Sequence, residues 1–312
     1  MPSWFKDFEV KGGKIIVKAT GVELPLGVEI AKEALSWLPF YLYEKIRRLK
    51  YIFARSEPLS IAFFPVQPRP WYLISVLVYR ARIRRVNDYA KADAVFYFED
   101  ATHPPPPKIP TNARGKNFNF GCYDISKSRV AQKFEQIFGY ALAVDPLTYK
   151  GPIAVKSEKN GVHDGYVVSA PLTKDRVTSS DLVYQRLIDN SIDGKWVEDL
   201  RCPIIDGDIA LVFVKRRPLE SRFANINSTV TLRKPEDLLS REERAKLKEF
   251  AQAMKLDWGG MDVLRDNIDS RIYVVDVNKT DMGPPLALSL AEKSKSVAVL
   301  TKQLLKLISG TT

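Results

Sequence analysis

The sequence predicts an α/β N-terminal domain followed by a larger α+β body of antiparallel hairpins and helices. Three observations carry that expectation. Residues 59–66 (LSIAFFPV), 71–83 (WYLISVLVYRARI) and 93–99 (ADAVFYF) read strand, helix, strand, the order of a small parallel sheet. The proline run Pro104–Pro107 imposes extended backbone and marks a linker. Beyond it, strands come in turn-linked pairs between capped helices, with Asp206-Gly207-Asp208 as a strong hairpin signal.

The helix following the linker can be capped by Asp124 or Ser126; its apolar face is Val130, Phe134, Ile137 and Phe138, and Gly139 ends it. PIAVK (152–156) and YVVSA (166–170) flank a polar loop, SEKNGVHDG (157–165), and residues 181–189 form a further strand. Residues 196–205 and 209–219 pair through the Asp-Gly-Asp turn, and Ser240-x-x-Glu243 is a capping box for a helix. A last hairpin, GGMDVLRDNIDSRIYVVDVN (259–278), precedes a C-terminal helix.

Composition bounds the function classes. At 312 residues the chain suits two or three domains, and 45% hydrophobic with 27% charged residues excludes wholesale disorder. Cys122 and Cys202 form no C-x-x-C, so neither a disulfide framework nor a structural zinc cluster is expected, and the cytoplasm is the natural compartment. No segment has a secretory h-region or the roughly 18 apolar residues of a membrane span. The charge of +11 suits a phosphate-rich substrate, with nucleic acid the alternative. Within residues 35–64, Trp37, Phe40, Tyr41, Tyr43, Tyr51 and Phe53 interleave with Lys45, Arg47, Arg48, Lys50 and Arg55. The preferred reading is a half-buried helix with snorkelling cations; the alternative is a basic aromatic surface lying on an anionic membrane or a protein partner.

The most informative segment is 259–278. A symmetric turn near Asp269 sets Asp262 opposite Asp276 and puts Asn278 on the same face. Facing carboxylates destabilise a strand pair unless a cation sits between them, and Mg²⁺ with its oxygen ligands is suited to that place. Lys156 closes an apolar strand, where a charge is out of place unless it points into a site, and Gly161 and Gly165 let the next loop bring N–H groups to a phosphate. Lys127 occupies the opening turn of a helix, which the dipole disfavours unless an anion is near. His163 reads as a polar loop residue. In the Asp-Gly-Asp hairpin, Asp199 meets Lys215 and Val197 meets Arg217. Asp199, Arg201, Lys215 and Arg217 then share one face, which reads equally as an oxyanion site beside Arg222 or as a solvated face of surface ion pairs.

From about residue 113 onward, the order of these motifs resembles the ATP-grasp superfamily, most of all its carboxylate–amine ligases. NFGCYDISKSRVAQKF is similar to the D-x-x-K helix segment, PIAVKSEKNGVHDG to the second-lysine strand and mobile loop, and VYQRLID to the segment bracketing adenine. EDLRCPIIDGDIALVFVKRRP resembles the D-x-R hairpin and SRFANIN the R-F-x-x-N stretch. The resemblance implies a two-lobed fold with the nucleotide between lobes: an N-terminal domain (1–112), a small lobe with the glycine loop (113–182) and a large lobe with the metal hairpin (183–312). It further implies ATP on Lys127, Lys156, Gln185, the backbone of Leu187, and Lys215, with Asp189 or Asp193 on the ribose. Asp262, Asp276 and Asn278 fall at magnesium-ligand positions, where Mn²⁺ can substitute, although Asp276 stands where glutamate is commoner. Arg201, Arg217 and Arg222 would anchor a small-molecule or peptide carboxylate and stabilise its oxyanion. The implied reaction is ADP-forming ligation to an amine through an acyl phosphate, with a small-molecule kinase as the runner-up and a non-catalytic basic adaptor as the third reading. Nucleic acid is not an expected partner, and the oligomeric state is open.

Overall fold

The computed structural model describes residues 8–17, 22–25, 28–49, 58–177, 179, 181–224 and 227–310. An antiparallel meander of β1 (Phe8–Lys11), β2 (Lys14–Val17) and β3 (Val22–Pro25) leads into α1 (Val28–Arg47). This meander is not among the elements expected above, since its four-residue strands are too short to establish a period. Next come β4 (Ser60–Pro65), α2 (Leu73–Arg80), β5 (Arg84–Arg85), β6 (Ala94–Phe98) and β7 (Lys116–Phe118), whose strands form a wholly parallel sheet in the order β5-β4-β6-β7. Strands covered on both faces read as unbroken apolar runs, and Ile61–Phe63 and Ala94–Phe98 are almost fully buried. Since β7 pairs with β6, this sheet extends to Phe118, past residue 112.

The second unit starts with α3 (Lys127–Phe138). Ser126 is its cap, accepting from the Arg129 N–H, while Asp124 accepts from the Ser126 N–H; Gly139 closes it in the left-handed conformation, φ 80°. Strands β8 (Gly151–Ser157), β9 (Tyr166–Ala170) and β10 (Leu182–Arg186) form a small antiparallel sheet, ordered β10-β8-β9, that runs past residue 182. The large sheet is built from β11 (Ser191–Ile192), β12 (Trp196–Ile205), β13 (Val212–Pro218), β14 (Thr229–Arg233), β15 (Trp258–Arg265) and β16 (Ile272–Asn278), along the path β14-β13-β12-β15-β16. Helix α3 and the box-capped α4 (Arg241–Ala253) bury Phe134, Leu247 and Phe250 against Met261, Tyr273 and Val277 of this sheet. The C-terminal helix α5 (Leu290–Ser309) packs on α2 and α1, and Val297, Leu300 and Leu304 share a core with Phe63, Phe96, Phe213 and Trp258. The end of the chain therefore seals the first sheet onto the last.

Both registers expected for the hairpins occur: Asp199↔Lys215 and Val197↔Arg217 in β12–β13, Asp262↔Asp276 and Gly260↔Asn278 in β15–β16. The second is reached by a different route from the symmetric one. Near the turn the pairing is one residue tighter, Val263↔Val274, and a bulge at Val275 restores the opposed aspartates.

Candidate active site

Strand β12 lies between β13 and β15, so its Arg201 stands directly opposite Asp262. The Arg201 guanidinium spans two acids, Asp262 Oδ2 at 3.0 Å and Asp281 Oδ1 at 2.8 Å, while Lys215 Nζ is 3.3 Å from Asp262 Oδ1. Burial alone would raise the Asp262 carboxyl; Arg201 and Lys215 overcome it and hold the group well below the usual range. Gly260 permits this packing, because a Cβ there would lie 2.7 Å from Asp281 Oδ2 and 2.8 Å from Arg201 Nε.

Asp276 has the opposite environment. Its Oδ1 is buried with no hydrogen-bond partner among the described residues, and burial followed by the Asp262 charge pushes its pKa up to about 6 against Lys127, Arg201 and Lys156. An ionised carboxylate there lacks an adjacent cation, which is the deficit a hard divalent ion would fill. Asp262 has both oxygens paired once, leaving each a lone pair. Asn278 Oδ1 already accepts from the N–H and hydroxyl of Thr280, at 2.9 and 3.1 Å. No group of three or more His, Cys, Asp or Glu converges among the described residues, so the open donors here are two carboxylates, and Asn278 would join them by giving up a Thr280 bond. That set fits Mg²⁺ sharing its shell with water and phosphate oxygens.

Lys156, on β8, has its pKa lowered by burial to about 8; its ammonium donates to Gln185 Oε1 at 3.2 Å and lies 5.7 Å from the Phe223 ring centre. Gln185 is 2% exposed and its Nε2 has no partner among the described residues. Lys127 opens α3 and donates to the Lys159 carbonyl at 2.7 Å. The glycine loop 157–165 is thereby docked. Asn160 donates from its N–H to Thr102 Oγ1 (2.9 Å) and from Nδ2 to the Val277 carbonyl (3.2 Å), and Ser128 bonds Glu158. His163 sits in this loop with φ 57° and a pKa lowered by burial. Gly165 lies against Phe223, whose Cδ1 would be 2.6 Å from an added Cβ.

Behind the lysines, the Leu187 N–H donates to the Pro152 carbonyl at 3.2 Å. Pro152 has no N–H to return the bond, so the Leu187 carbonyl is the backbone group left over for a ligand. Asp189 Oδ1 accepts from the Ser191 hydroxyl and N–H at 2.6 and 3.2 Å, and the hydroxyl bond above all lowers its pKa; Asp193 is exposed in a turn with φ 53°.

The arginine face departs from the expected array of free cations. Arg217 is ion-paired with Asp199 and donates to the Arg222 carbonyl (2.8 Å) and Asn227 Oδ1 (3.0 Å). Arg201 and Lys215 are engaged by acids from β15 and the segment after β16, neighbours that a two-strand view of the hairpin leaves out. Arg222 differs: Nη2 donates to the Ile188 carbonyl and Asn190 Oδ1, and Nη1 has no protein partner among the described residues. In SRFANIN the asparagine position of R-F-x-x-N holds Ile226, with Asn225 one before it and Asn227 one after.

Three residues here escaped the sequence reading. Asp281 is 3% exposed and completes the Arg201 bridge. Lys279, fully buried, donates to the Tyr123 carbonyl at 2.7 Å beneath the Tyr97 ring, and Phe223 packs between Lys156 and Gly165. The usable signal was NKTDMGPP itself, polar residues following directly on a buried strand. A separate cavity of about 490 Å³, lined by Asp208, Arg241, Arg244 and Lys248, has neither facing carboxylates nor a glycine loop.

A small antiparallel sheet with a docked glycine loop, set beside a large sheet bearing facing carboxylates, defines an ATP-grasp fold, and this chain has it. Among solved structures, the chain is similar to the ATP-grasp ligase PsnB complexed with minimal precursor, with TM-score 0.53 and 13% identity over 81% of this chain and 99% of that one. It is also similar to D-alanine–D-alanine ligase from Bacillus anthracis complexed with ATP, with TM-score 0.51 and 15% identity over 82% and 97% of the two chains. A further PsnB structure, with a phosphomimetic precursor variant, Mg and ADP, gives TM-score 0.51 and 12% identity over 80% and 100%. No protein-family model matches the sequence, and neither does any curated protein.

Proposed function

We propose that this chain is an ATP-dependent, ADP-forming carboxylate–amine ligase. The observation that carries the reading is Asp276: a half-buried carboxylate with one buried oxygen that has no partner among the described residues, facing Asp262 across the strand pair and within the electrostatic reach of Lys127 and Lys156. Among the described residues no cation pairs with it directly, and a Mg²⁺-bound triphosphate would supply both that cation and anions for the lysines. Asp262, Asp276 and Asn278 would hold Mg²⁺, or Mn²⁺ in its place; the ion's contribution is to neutralise charge on the terminal phosphates.

The chain's own residues do the rest. Lys127 and Lys156 hold outer phosphate oxygens, and Lys215 sets the charge of Asp262. The unpartnered Gln185 Nε2 and the Leu187 carbonyl meet the adenine edge, with Asp189 or Asp193 on the ribose. The docked loop 157–165 excludes water from a hydrolysable intermediate. Arg222, through its remaining donor, receives the acceptor carboxylate, while Arg201 and Arg217 are positioning residues locked to Asp262, Asp281 and Asp199. A carboxylate oxygen then attacks the γ-phosphorus, its bond to ADP breaks, and an acyl phosphate forms. An amine attacks the carbonyl carbon, and phosphate leaves with the bonding pair as the amine loses its proton. The precursor of PsnB and the D-alanine of the second neighbour support a peptide or amino-acid carboxylate as substrate class.

The test is ADP release against panels of amino acids and peptides with added amines, followed by mass analysis of the product. Ligation yields an amide with free phosphate in equal amount. Phosphate retained on the product assigns a kinase instead, and the absence of ADP release with every pair sinks the proposal.

A further inference from the structure

We propose that the outer face of α1 docks the chain on an anionic lipid surface, a role independent of the ligase reading. The helix is apolar on two sides. Its inner side carries Phe40, fully buried in the core shared with α2 and α5, and Glu44, also fully buried and bonded to Arg80 and Ser294. Trp37 meets Phe40 edge-on and Tyr41 at a tilt on this side, and the Tyr41 hydroxyl donates to the Pro70 carbonyl. The aromatic residues that suggested a sticky surface are thus largely turned toward the protein.

What faces solvent is aliphatic. Leu38, Leu42 and Ile46 are 66%, 60% and 58% exposed, and at 100° per residue they fall on one face of α1 with Lys45; Leu49, just past the end of the helix, is 51% exposed. Water-facing helix positions in a soluble core-packed helix are ordinarily polar, so a run of large aliphatics there requires a partner. The charge distribution selects it. The one acid of residues 37–49, Glu44, points inward and Arg48 lies over the Tyr79 ring, leaving Lys45 beside the aliphatic face and the exposed Arg47, bonded to the Tyr43 hydroxyl, as the solvent-facing charges, on a chain of net charge +11. A second copy would set Lys45 against Lys45, and four aliphatic side chains fall short of the roughly 800 Å² per partner that a stable dimer buries. A leaflet of anionic headgroups over acyl chains matches both features, apolar side chains entering the headgroup boundary and cations pairing with phosphates. No helix is long and apolar enough among the described residues to cross a membrane, so contact would be interfacial. The expected Tyr51, Phe53, Lys50 and Arg55 lie outside the described residues.

The experiment is vesicle co-sedimentation of the full chain, with phosphatidylglycerol–phosphatidylcholine vesicles against phosphatidylcholine alone, at low and high salt. Wild type should bind the anionic vesicles roughly tenfold more than the neutral ones, and less as salt rises. Leu42→Glu and Ile46→Glu should each lose about tenfold of that binding, and Lys45→Glu should weaken it, while thermal midpoints stay at the wild-type value. Failure of wild type to sediment with anionic vesicles overturns the proposal. So does undiminished binding by both glutamate variants, or a wild-type dimer in sedimentation equilibrium that Leu42→Glu converts to monomer, which would make a second copy the occupant.

Discussion

Replacing Asp276 by asparagine should change stability in opposite directions with and without Mg·ATP. In the free protein, burial and Asp262 raise the Asp276 pKa from 3.8 to about 6, about two units at roughly 1.4 kcal/mol each. Some solvent reaches this partly exposed side chain, so the retained penalty is about 1–3 kcal/mol. A raised carboxyl pKa means the folded state binds the proton more tightly than the unfolded one. The penalty is therefore absent below the unfolded value near 4 and complete above about 6. At pH 8, Asp276→Asn should make the free protein more stable by about 1–3 kcal/mol, a rise of a few degrees in Tm; at pH 4 the two proteins should melt together. Saturating Mg·ATP, at about 1,000 times Kd, should stabilise wild type by about 4.1 kcal/mol and the variant by little, so the order of Tm values inverts. Thermal-shift melts at both pH values, with and without Mg·ATP, measure all four quantities. An asparagine variant that is less stable at pH 8 without nucleotide, yet gains as much from Mg·ATP as wild type, refutes the argument that this carboxylate awaits a cation.

Lys156, with its pKa lowered to about 8, makes a second pH prediction: the KM for ATP rises as pH passes through 8 and the ammonium is lost, and Lys156→Arg removes that dependence. The free protein moves oppositely, since the unfolded state holds the proton up to about 10.4; its stability climbs between pH 8 and 10, read by urea melts. Arg201→Met leaves Asp262 without one partner and Asp281 without its own, which should cost about 3–5 kcal/mol in urea unfolding, with partial recovery on adding Asp281→Asn. Gly165→Ala drives a methyl into the Phe223 ring, so KM for ATP should rise roughly tenfold with Tm unchanged, and Phe223→Leu should reverse it; an unaffected KM would show that this contact does not hold the loop.

Local chemistry made much of this molecule legible beforehand. Period and turn residues located β4, α2 and β6, the Ser240 capping box, and the Asp262–Asp276 and Asp199–Lys215 pairs, because each depends on residues close in sequence. Even there the route differed: a symmetric turn and a tighter turn with a bulge at Val275 give the same opposed aspartates, and a residue pattern does not distinguish them.

Contacts between distant segments were beyond that reach. Whether Arg201 and Arg217 are free for substrate depends on Asp281 and Asp199, and Asp281 arrives from a loop eighty positions away. The small-sheet limit at Arg186 and the inclusion of β7 in the first sheet follow from backbone pairing, which composition does not encode. The two faces of α1 were both apolar in the sequence; which one met α2 and α5 was fixed by the Glu44–Arg80–Ser294 bonds and the C-terminal helix. Periodicity tells each element which side to bury, but the partner that buries it, and hence the charge a site is left with, is set only when remote strands and helices pack together.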